Sequence, residues 1–343
     1  ALVAREPITA ESETCIVFSD ALRFDLGQRL QTTLEQLGYK CSMAWRLAAL
    51  PTVTATSKPA IAPVAGQIAG AEPGLEPVAR ATGTVASAGV LRKLLQDVGY
   101  QVLKQDEWGE PSGRAWTELG AIDQYGHQHG WKIAHHVDNE LQALAERVEA
   151  LLEFGWRQVI VVTDHGWLML PDGLPKVELP QHLTLLRKGR CAALKEGAST
   201  DQQRVHWHWR EDVHIAVATG IGCYEAGKEY EHGGISPQEC VLPVITVSQP
   251  ENKAKRVTIS EVSWLGLRCR FKIDGVATDM IADIRLKAGD ESTSLTSTPR
   301  TPNADGTVSL MVPNEDRQGQ AALVVVVSDK GMVRAQTPTI IGE

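Results

Sequence analysis

The sequence predicts an α/β protein with a mostly parallel sheet flanked by helices, followed by a small C-terminal all-β sandwich. Three observations predict it. Apolar runs of strand length alternate with helical stripes through the first part of the chain. Carboxylates and imidazoles fall directly after several of those runs, where open parallel sheets place their ligands. After Gln249-Pro250 the helical stripes stop, and short β-rich runs separated by turn signals take over. At 343 residues the chain is long for one core, so two domains are expected, 1–250 and 251–343.

Residues 14–20 form a continuous apolar run closed by Asp20, the pattern of a buried strand. Leu22, Leu26, Leu30, Leu34 and Leu37 then recur at helical spacing, with Gly38 placed as a C-cap. Residues 39–44 give the next strand, so the chain opens as β-loop-α-β. Residues 50–90 are rich in Ala, Pro, Gly and Thr without a strong period and are expected to form a functional loop or cap. A helix near 90–98 and a strand at 100–104 follow. The segment 115–123 leads into Asp123. Ile133, Val137, Leu141, Leu144, Val148 and Leu151 make one apolar stripe, which predicts a helix over 131–153 stopped by Gly155. A strand at 158–163 comes directly after it. In the last part, runs at 257–262, 267–273, 280–286, 308–312 and 323–327 predict the sandwich.

Composition narrows the function classes. No run approaches the ~20 apolar residues of a membrane helix, so no membrane partner is expected. Residues 251–343 carry 12 Lys and Arg against 12 Asp and Glu, so the net charge of -8 sits entirely in residues 1–250. That argues against a broad basic face for long nucleic acid. The six cysteines include no CxxC pair and no zinc-finger spacing, which points to free thiols and a cytoplasmic setting. The chain starts at Ala1 and is read as a piece of a longer protein.

The candidate site residues are Asp20, Thr54, Asp123, His127, Asp164, His165 and His232. Asp164 and His165 close the run 159–163, with Gly166 expected to permit a tight turn. Asp123 and His127 are four apart. His232 lies in the Gly-rich turn Glu231-His232-Gly233-Gly234 before a strand at 241–247. Carboxylate oxygens mixed with imidazole nitrogens suit Zn²⁺ or Mn²⁺ better than Ca²⁺. Each residue alone has a plainer reading. Asp20 could cap a helix starting near Ala21, and a lone Asp-His-Gly suits an ordinary turn. His135 and His136 read as a solvated helix face. His206-Trp207-His208-Trp209 alternates like a strand that packs Trp on one face and exposes His on the other. Thr52, Thr56 and Ser57 read as loop hydroxyls, and Arg23 as the structural partner of Asp25. The order of the whole set is what these plainer readings leave unexplained.

That order resembles the alkaline phosphatase superfamily. The runs Phe18-Ser19-Asp20-Ala21-Leu22-Arg23, Leu50 to Lys58, Val159 to Pro171 and Glu231 to Glu239 look more narrowly like the PglZ domain of BREX phage-defence systems. The appended β-domain suggests the C-terminal part of a type B-like PglZ. The resemblance covers about residues 12–250 and is only positional beyond them.

The resemblance implies an alkaline phosphatase-like core with two divalent metal ions, Zn²⁺ first and Mn²⁺ second. Asp20, Asp164 and His165, with the Thr54 oxygen, would hold one ion; Asp123, His127 and His232 would hold the other. Thr54 would be the nucleophile of a metal-dependent phosphodiesterase or nuclease acting on nucleotides or oligonucleotides, with other BREX components as partners. The phosphodiesterase branch carries an Asn three residues after its nucleophile. Ser57 stands there in this chain, and Lys58 is the candidate phosphate contact instead. No Cys-x-Pro-x-Arg loop occurs, so sulfate ester hydrolysis is not expected. Two other outcomes stay open: a metal-stabilised scaffold without activity, and mutase-like transfer to another alcohol. The geometry expected of the leading reading is convergence of all the candidate residues at one sheet edge, with no ligand from the final β-rich part.

Overall fold

The computed structural model describes residues 6–71, 74–250, 257–275 and 280–343. The chain divides into two compact units, one of residues 1–148 and 158–248, the other of 149–157 and 249–343. The expected boundary after residue 250 runs into residues 251–256, which lie outside the described residues.

The first unit is built on a six-stranded sheet in the order Lys40–Leu47, Val241–Ser248, Gln158–Val162, Thr14–Phe18, Arg114–Glu118, Tyr100–Leu103. The last four are mutually parallel, and Val241–Ser248 runs antiparallel to both of its neighbours. Thr14–Phe18 is central and buried at every position, as its unbroken apolar sequence requires. Lys40–Leu47 is an edge strand and alternates in exposure.

The helix Phe24–Gln36 buries Leu26, Leu30 and Leu34. Leu37 falls at its C-cap and is 48% exposed, so the expected stripe is one residue too long. Gly38 ends it at φ +90°. Asp20 lies outside this helix, whose N-cap is Arg23 without a side-chain cap bond.

Two expectations need correction. The segment 131–153 is not one helix. A helix Ile122–His129 ends at Gly130 (φ +56°), a 3-10 turn covers Gly130–His135, and the long helix starts at Val137 and reaches Phe154. Ile133 is fully buried, so it continues the apolar stripe although its backbone does not continue the helix. The region 50–90, read as a loop, contains a helix Thr54–Ile61 and a two-stranded sheet of Ile68–Ala69 with Val78–Ala79; residues 72–73 lie outside the described residues.

A four-stranded antiparallel sheet stands between residues 184 and 217, in the order Gln203–Trp207, Arg210–Val217, Cys191–Leu194, Thr184–Lys188. The sequence reading caught only the alternation at 206–209. Trp207 is indeed buried and His206 exposed, but the strand stops at Trp207.

In the second unit the described strands form two three-stranded antiparallel sheets. One contains Thr258–Leu265, Arg268–Asp274 and Thr307–Met311; the other contains Met280–Arg285, Ala321–Ser328 and Val333–Ile340. Phe271, Ile273 and Leu310 from the first share one apolar core with Ile284, Val324 and Val326 from the second. All six cysteines are free thiols. Among the described residues no helix is long and apolar enough to cross a membrane.

Candidate active site

The sheet register does most of the assembly. Phe18 pairs with Val162 across the parallel strands, so Asp20 and Asp164, each two residues further on, leave the sheet side by side. Both strands have then turned away. Ala21 takes φ +63°, its carbonyl accepts from Trp167 Nε1 (3.0 Å), and Thr163 Oγ1 accepts from Leu22 N (2.9 Å). Because Val241–Ser248 runs antiparallel, its start lies at the same edge, and the turn carrying His232 arrives there with it.

Asp20 Oδ1 lies 3.4 Å and Asp164 Oδ2 3.8 Å from His165 Nε2. Thr54 Oγ1 is 3.0 Å from the same nitrogen. The His165 ring stacks on His232 at 3.9 Å. His232 Nε2 is 3.5 Å from Asp123 Oδ1 and 3.0 Å from His127 Nε2, and His127 Nε2 is 3.5 Å from Asp123 Oδ2. The fold thus brings Asp20, Thr54, Asp123, His127, Asp164, His165 and His232 to one place. Their donor atoms fall into two groups, Asp20 with Asp164 and His165, and Asp123 with His165 and His232, each within 4.8 Å. His165 stands between the groups, and His127 adjoins the second from its more exposed side. All these residues belong to the first unit.

Backbone carbonyls orient both buried imidazoles. His232 Nδ1 donates to Thr52 O (2.7 Å) and His165 Nδ1 to Gly166 O (3.1 Å). Each Nε2 is therefore the nitrogen turned toward the carboxylates, where a cation would meet it. Tyr230 OH donates to Asp123 Oδ1 (3.0 Å). Gly166 is required by close approach and not by a tight turn: a Cβ there would lie 2.0 Å from Gln238 O.

The electrostatics are those of a cation site. Burial first, then the neighbouring Asp164, holds the Asp20 carboxyl well above the usual carboxylate range. Asp164 is raised by burial. Burial alone would depress His165, but Asp164, Asp20 and Asp123 outweigh it and raise the imidazole to about 9. Burial and the His165 charge push His232 down to about 3. Burial and Asp123 keep the Tyr230 hydroxyl protonated by raising it well above 10. Asp20 Oδ1 and Asp164 Oδ2 are buried with no hydrogen-bond partner, which is costly unless a cation faces them. Buried carboxylate oxygens and correctly oriented imidazole nitrogens fit two divalent ions of the Zn²⁺ or Mn²⁺ kind.

Thr54 is the first residue of the helix Thr54–Ile61, and Val53, Thr54 and Ala55 at its opening line the cleft. Two indoles hold that turn: Trp207 Nε1 donates to Thr56 Oγ1 (2.9 Å) and Trp209 Nε1 to Thr56 O (3.1 Å). Ser57 is turned away, donating to Ala49 O (2.9 Å). Lys58 does not point freely at the cleft. Its ammonium bonds Glu118 Oε2 (2.9 Å) and lies 4.3 Å above the Phe18 ring. Burial would raise Glu118, but the Lys58 charge outweighs it and holds the carboxyl low. Arg23 pairs with Asp25 (2.9 Å), as the sequence suggested, and lies over Trp167. His135 is exposed, whereas His136 stacks on Tyr125 and bonds Glu140 (2.8 Å). Sequence reasoning missed Tyr230, Trp207 and Trp209. Tyr230 carried a usable signal, since it lies two residues before His232.

No protein-family model matches the chain, and no curated relative matches it. Among solved structures it is similar to murine ectonucleotide pyrophosphatase/phosphodiesterase 5, at 12% identity over 70% of this chain and 88% of that one, with a TM-score of 0.44. An inactive variant of the murine protein in complex with AMP gives a TM-score of 0.43 at the same identity and coverage. The human protein gives 0.45 at 12% identity, again over 70% and 88% of the two chains.

Proposed function

We propose that the chain is a two-metal phosphoester hydrolase that prefers diesters and uses Thr54 as its nucleophile. The observation that carries this reading is the position of Thr54 Oγ1, at the head of a helix and 3.0 Å from His165 Nε2, beside both groups of donor atoms. Asp20, Asp164 and His165 would hold one ion, and Asp123, His127 and His232 the other. What bound divalent ions supply there is a lowered pKa for the Thr54 hydroxyl and for water, and positive charge beside the phosphoryl oxygens.

The residues of the chain do the rest. N–H groups of the first helical turn receive a phosphoryl oxygen. Thr54 Oγ1 gives its proton to solvent in the cleft and bonds to phosphorus, while the bond from phosphorus to one ester oxygen breaks. The departing oxygen takes a proton from solvent. Water then replaces Thr54 on phosphorus, which restores the hydroxyl. Val53, the Trp207 and Trp209 bonds to Thr56, and the Ser57 bond to Ala49 hold the attacking oxygen in place throughout. Lys58 and Glu118 form a paired wall whose remaining charge near Asp20 and Asp164 makes Lys58 a candidate contact for the phosphoryl group.

The resemblance of the four runs to PglZ domains supports placing this activity in a BREX-type defence system in the cytoplasm, on nucleotides or oligonucleotides, with other BREX components as partners. Residues 1–250 would be the catalytic domain and 251–343 a β-sandwich domain that docks to those components.

The test is hydrolysis of bis-p-nitrophenyl phosphate beside p-nitrophenyl phosphate, with Zn²⁺ or Mn²⁺ added, by the native chain and by Thr54→Ala. Diester turnover that Thr54→Ala abolishes while metal content survives is the expected result. Turnover retained in Thr54→Ala removes the nucleophile assignment. Stoichiometric metal with no ester hydrolysed favours a scaffold.

A further inference from the structure

The strand Lys40–Leu47 is an unprotected sheet edge. It is eight residues long and pairs with Val241–Ser248 without a register shift. It contains no proline and no acidic residue, and it carries Trp45 at 63% exposure. Other edges are blunted by the devices with which sheets refuse a partner. Tyr100–Leu103, at the far side of the same sheet, is only four residues long, and Gln101 bonds both the N–H (2.7 Å) and the C=O (2.8 Å) of Glu110 beside it. Thr258–Leu265 has a break in register between Ser260 and Ser263. Val333–Ile340 contains Pro338 and pairs through a break at Val326 and Val327.

The register also gives the direction of the backbone groups on Lys40–Leu47. Ala48 N donates to Cys240 O (2.8 Å), and this pair continues the pairing of Leu47 with Val241. Bonded pairs alternate along an antiparallel ladder. Lys40, Ser42, Ala44 and Arg46 therefore bond inward, and Cys41, Met43, Trp45 and Leu47 turn their N–H and C=O groups out of the sheet. Pro243, which has no N–H, stands opposite Trp45, as a non-bonded position allows. The side chains of the four outward-bonding residues share one face, and none is charged. The helix Phe24–Gln36 packs on that face, where Gly27 meets Pro243. On the other face, Arg46 is turned back to Glu6 O (2.9 Å) of its own chain.

We propose that this edge pairs with the same edge of a second copy of the chain, making a symmetric dimer with one continuous sheet. Antiparallel pairing with Ala44 opposite Ala44 at the two-fold axis uses the whole strand. It sets Met43 against Trp45, Cys41 against Leu47, Ser42 against Arg46 and Lys40 against Ala48. No like charges stand opposite one another, whereas centring on Met43 would set Lys40 against Arg46. The outward N–H and C=O groups of both copies then satisfy one another, and Trp45 is covered within one uncharged stripe that crosses the axis. The helix Phe24–Gln36 of each copy lies on the side of that stripe. Because Tyr100–Leu103 is blunted, the sheet cannot grow from its far side and association closes at two.

The test is sedimentation equilibrium of the full chain at concentrations up to about 100 μM, for the native chain, Met43→Pro and Trp45→Lys. Met43→Pro removes an outward N–H and leaves the inward ladder intact. Trp45→Lys puts a charge in the shared stripe. The native chain is expected to dimerise, and each variant to raise the dissociation constant by about tenfold or more, with the circular dichroism of the diluted chain unchanged. A second arm reads the register by oxidation in a Cys41→Ser background. Ala44→Cys is expected to form a disulfide between the two copies, because Ala44 faces its own copy in a non-bonded pair, and Ser42→Cys is not. A native chain that stays monomeric overturns the proposal and leaves the edge to a strand of another protein. A dimer that both variants leave intact overturns the choice of edge. Crosslinking by Ser42→Cys in place of Ala44→Cys overturns the register.

Discussion

Arg190 and Glu239 form a bidentate ion pair in which the two side chains are 1% and 0% exposed. Glu239 also accepts from Gly234 N (2.8 Å), Ser236 N (3.1 Å) and Ser236 Oγ (2.7 Å), while Arg190 donates to the carbonyls of Gly220 and Gly222. One buried pair therefore ties the turn carrying His232 to the hairpin that carries Lys188.

Removing either partner strands the other charge without water. Glu239→Gln or Arg190→Ala is expected to destabilise the chain by about 3–5 kcal/mol. Denaturant unfolding of metal-free protein measures this. A loss below about 1 kcal/mol would show that water reaches the pair.

Metal uptake should release protons. In metal-free protein His165 is raised from 6.5 to about 9, so it is protonated at pH 7.5 and must lose that proton to bind a cation. His232, lowered to about 3, is already neutral and contributes none. Apparent affinity should therefore rise with pH up to about 9. Calorimetry in buffers of different ionisation enthalpy is expected to detect at least one proton leaving, and zero would remove the charged His165.

Tyr230→Phe deletes the hydroxyl that holds Asp123 without touching a candidate ligand. Loss of such an orienting bond costs about 10–100-fold in metal affinity. The weaker of two binding steps in a zinc titration should weaken by that amount and the tighter should not. Equal weakening of both would show that Asp123 serves both ions.

Trp207→Phe keeps an aromatic ring in the core but shrinks it and leaves Thr56 Oγ1 without its indole donor. The expected stability cost is about 1–3 kcal/mol. Because Thr56 is two residues from Thr54 on one helical turn, kcat should fall more than KM changes. A change confined to stability would mean that the helix head is held by Val53 and Ser57 alone.

The parts of the site that were legible in the sequence were those at ends of buried strands. An unbroken apolar run predicts a central strand, and the polar residue after it must surface at an edge, so Asp20, Asp164 and His165 could be placed. The turn with His232 was legible for the same reason, being attached to the start of 241–248. The helix starting at Thr54 was not, because Pro59 inside it and weak amphipathicity hide the period. The break at Gly130 was masked by Ile133, which keeps the apolar spacing across a non-helical turn. The sheet at 184–217 escaped because its outer strand Gln203–Trp207 is mostly exposed and polar. The strand Val333–Ile340 was missed because alternation carries Gln336 and Pro338 through an edge position. The Lys58–Glu118 pair joins residues far apart in sequence, and neither periodicity nor motif spacing reports such partners.

The strand Lys40–Leu47 has Val241–Ser248 as its only sheet neighbour among the described residues. During synthesis it is made before its partner, which is roughly two hundred residues further along the chain, a separation that slows folding of the sheet. The same late strand anchors the turn that carries His232. A nascent or truncated chain that stops short of residue 241 would carry every candidate ligand, but with an open sheet edge and no strand to hold the turn of His232 at the site. Chelation and edge protection would thus be acquired together, in the last step of building the first unit.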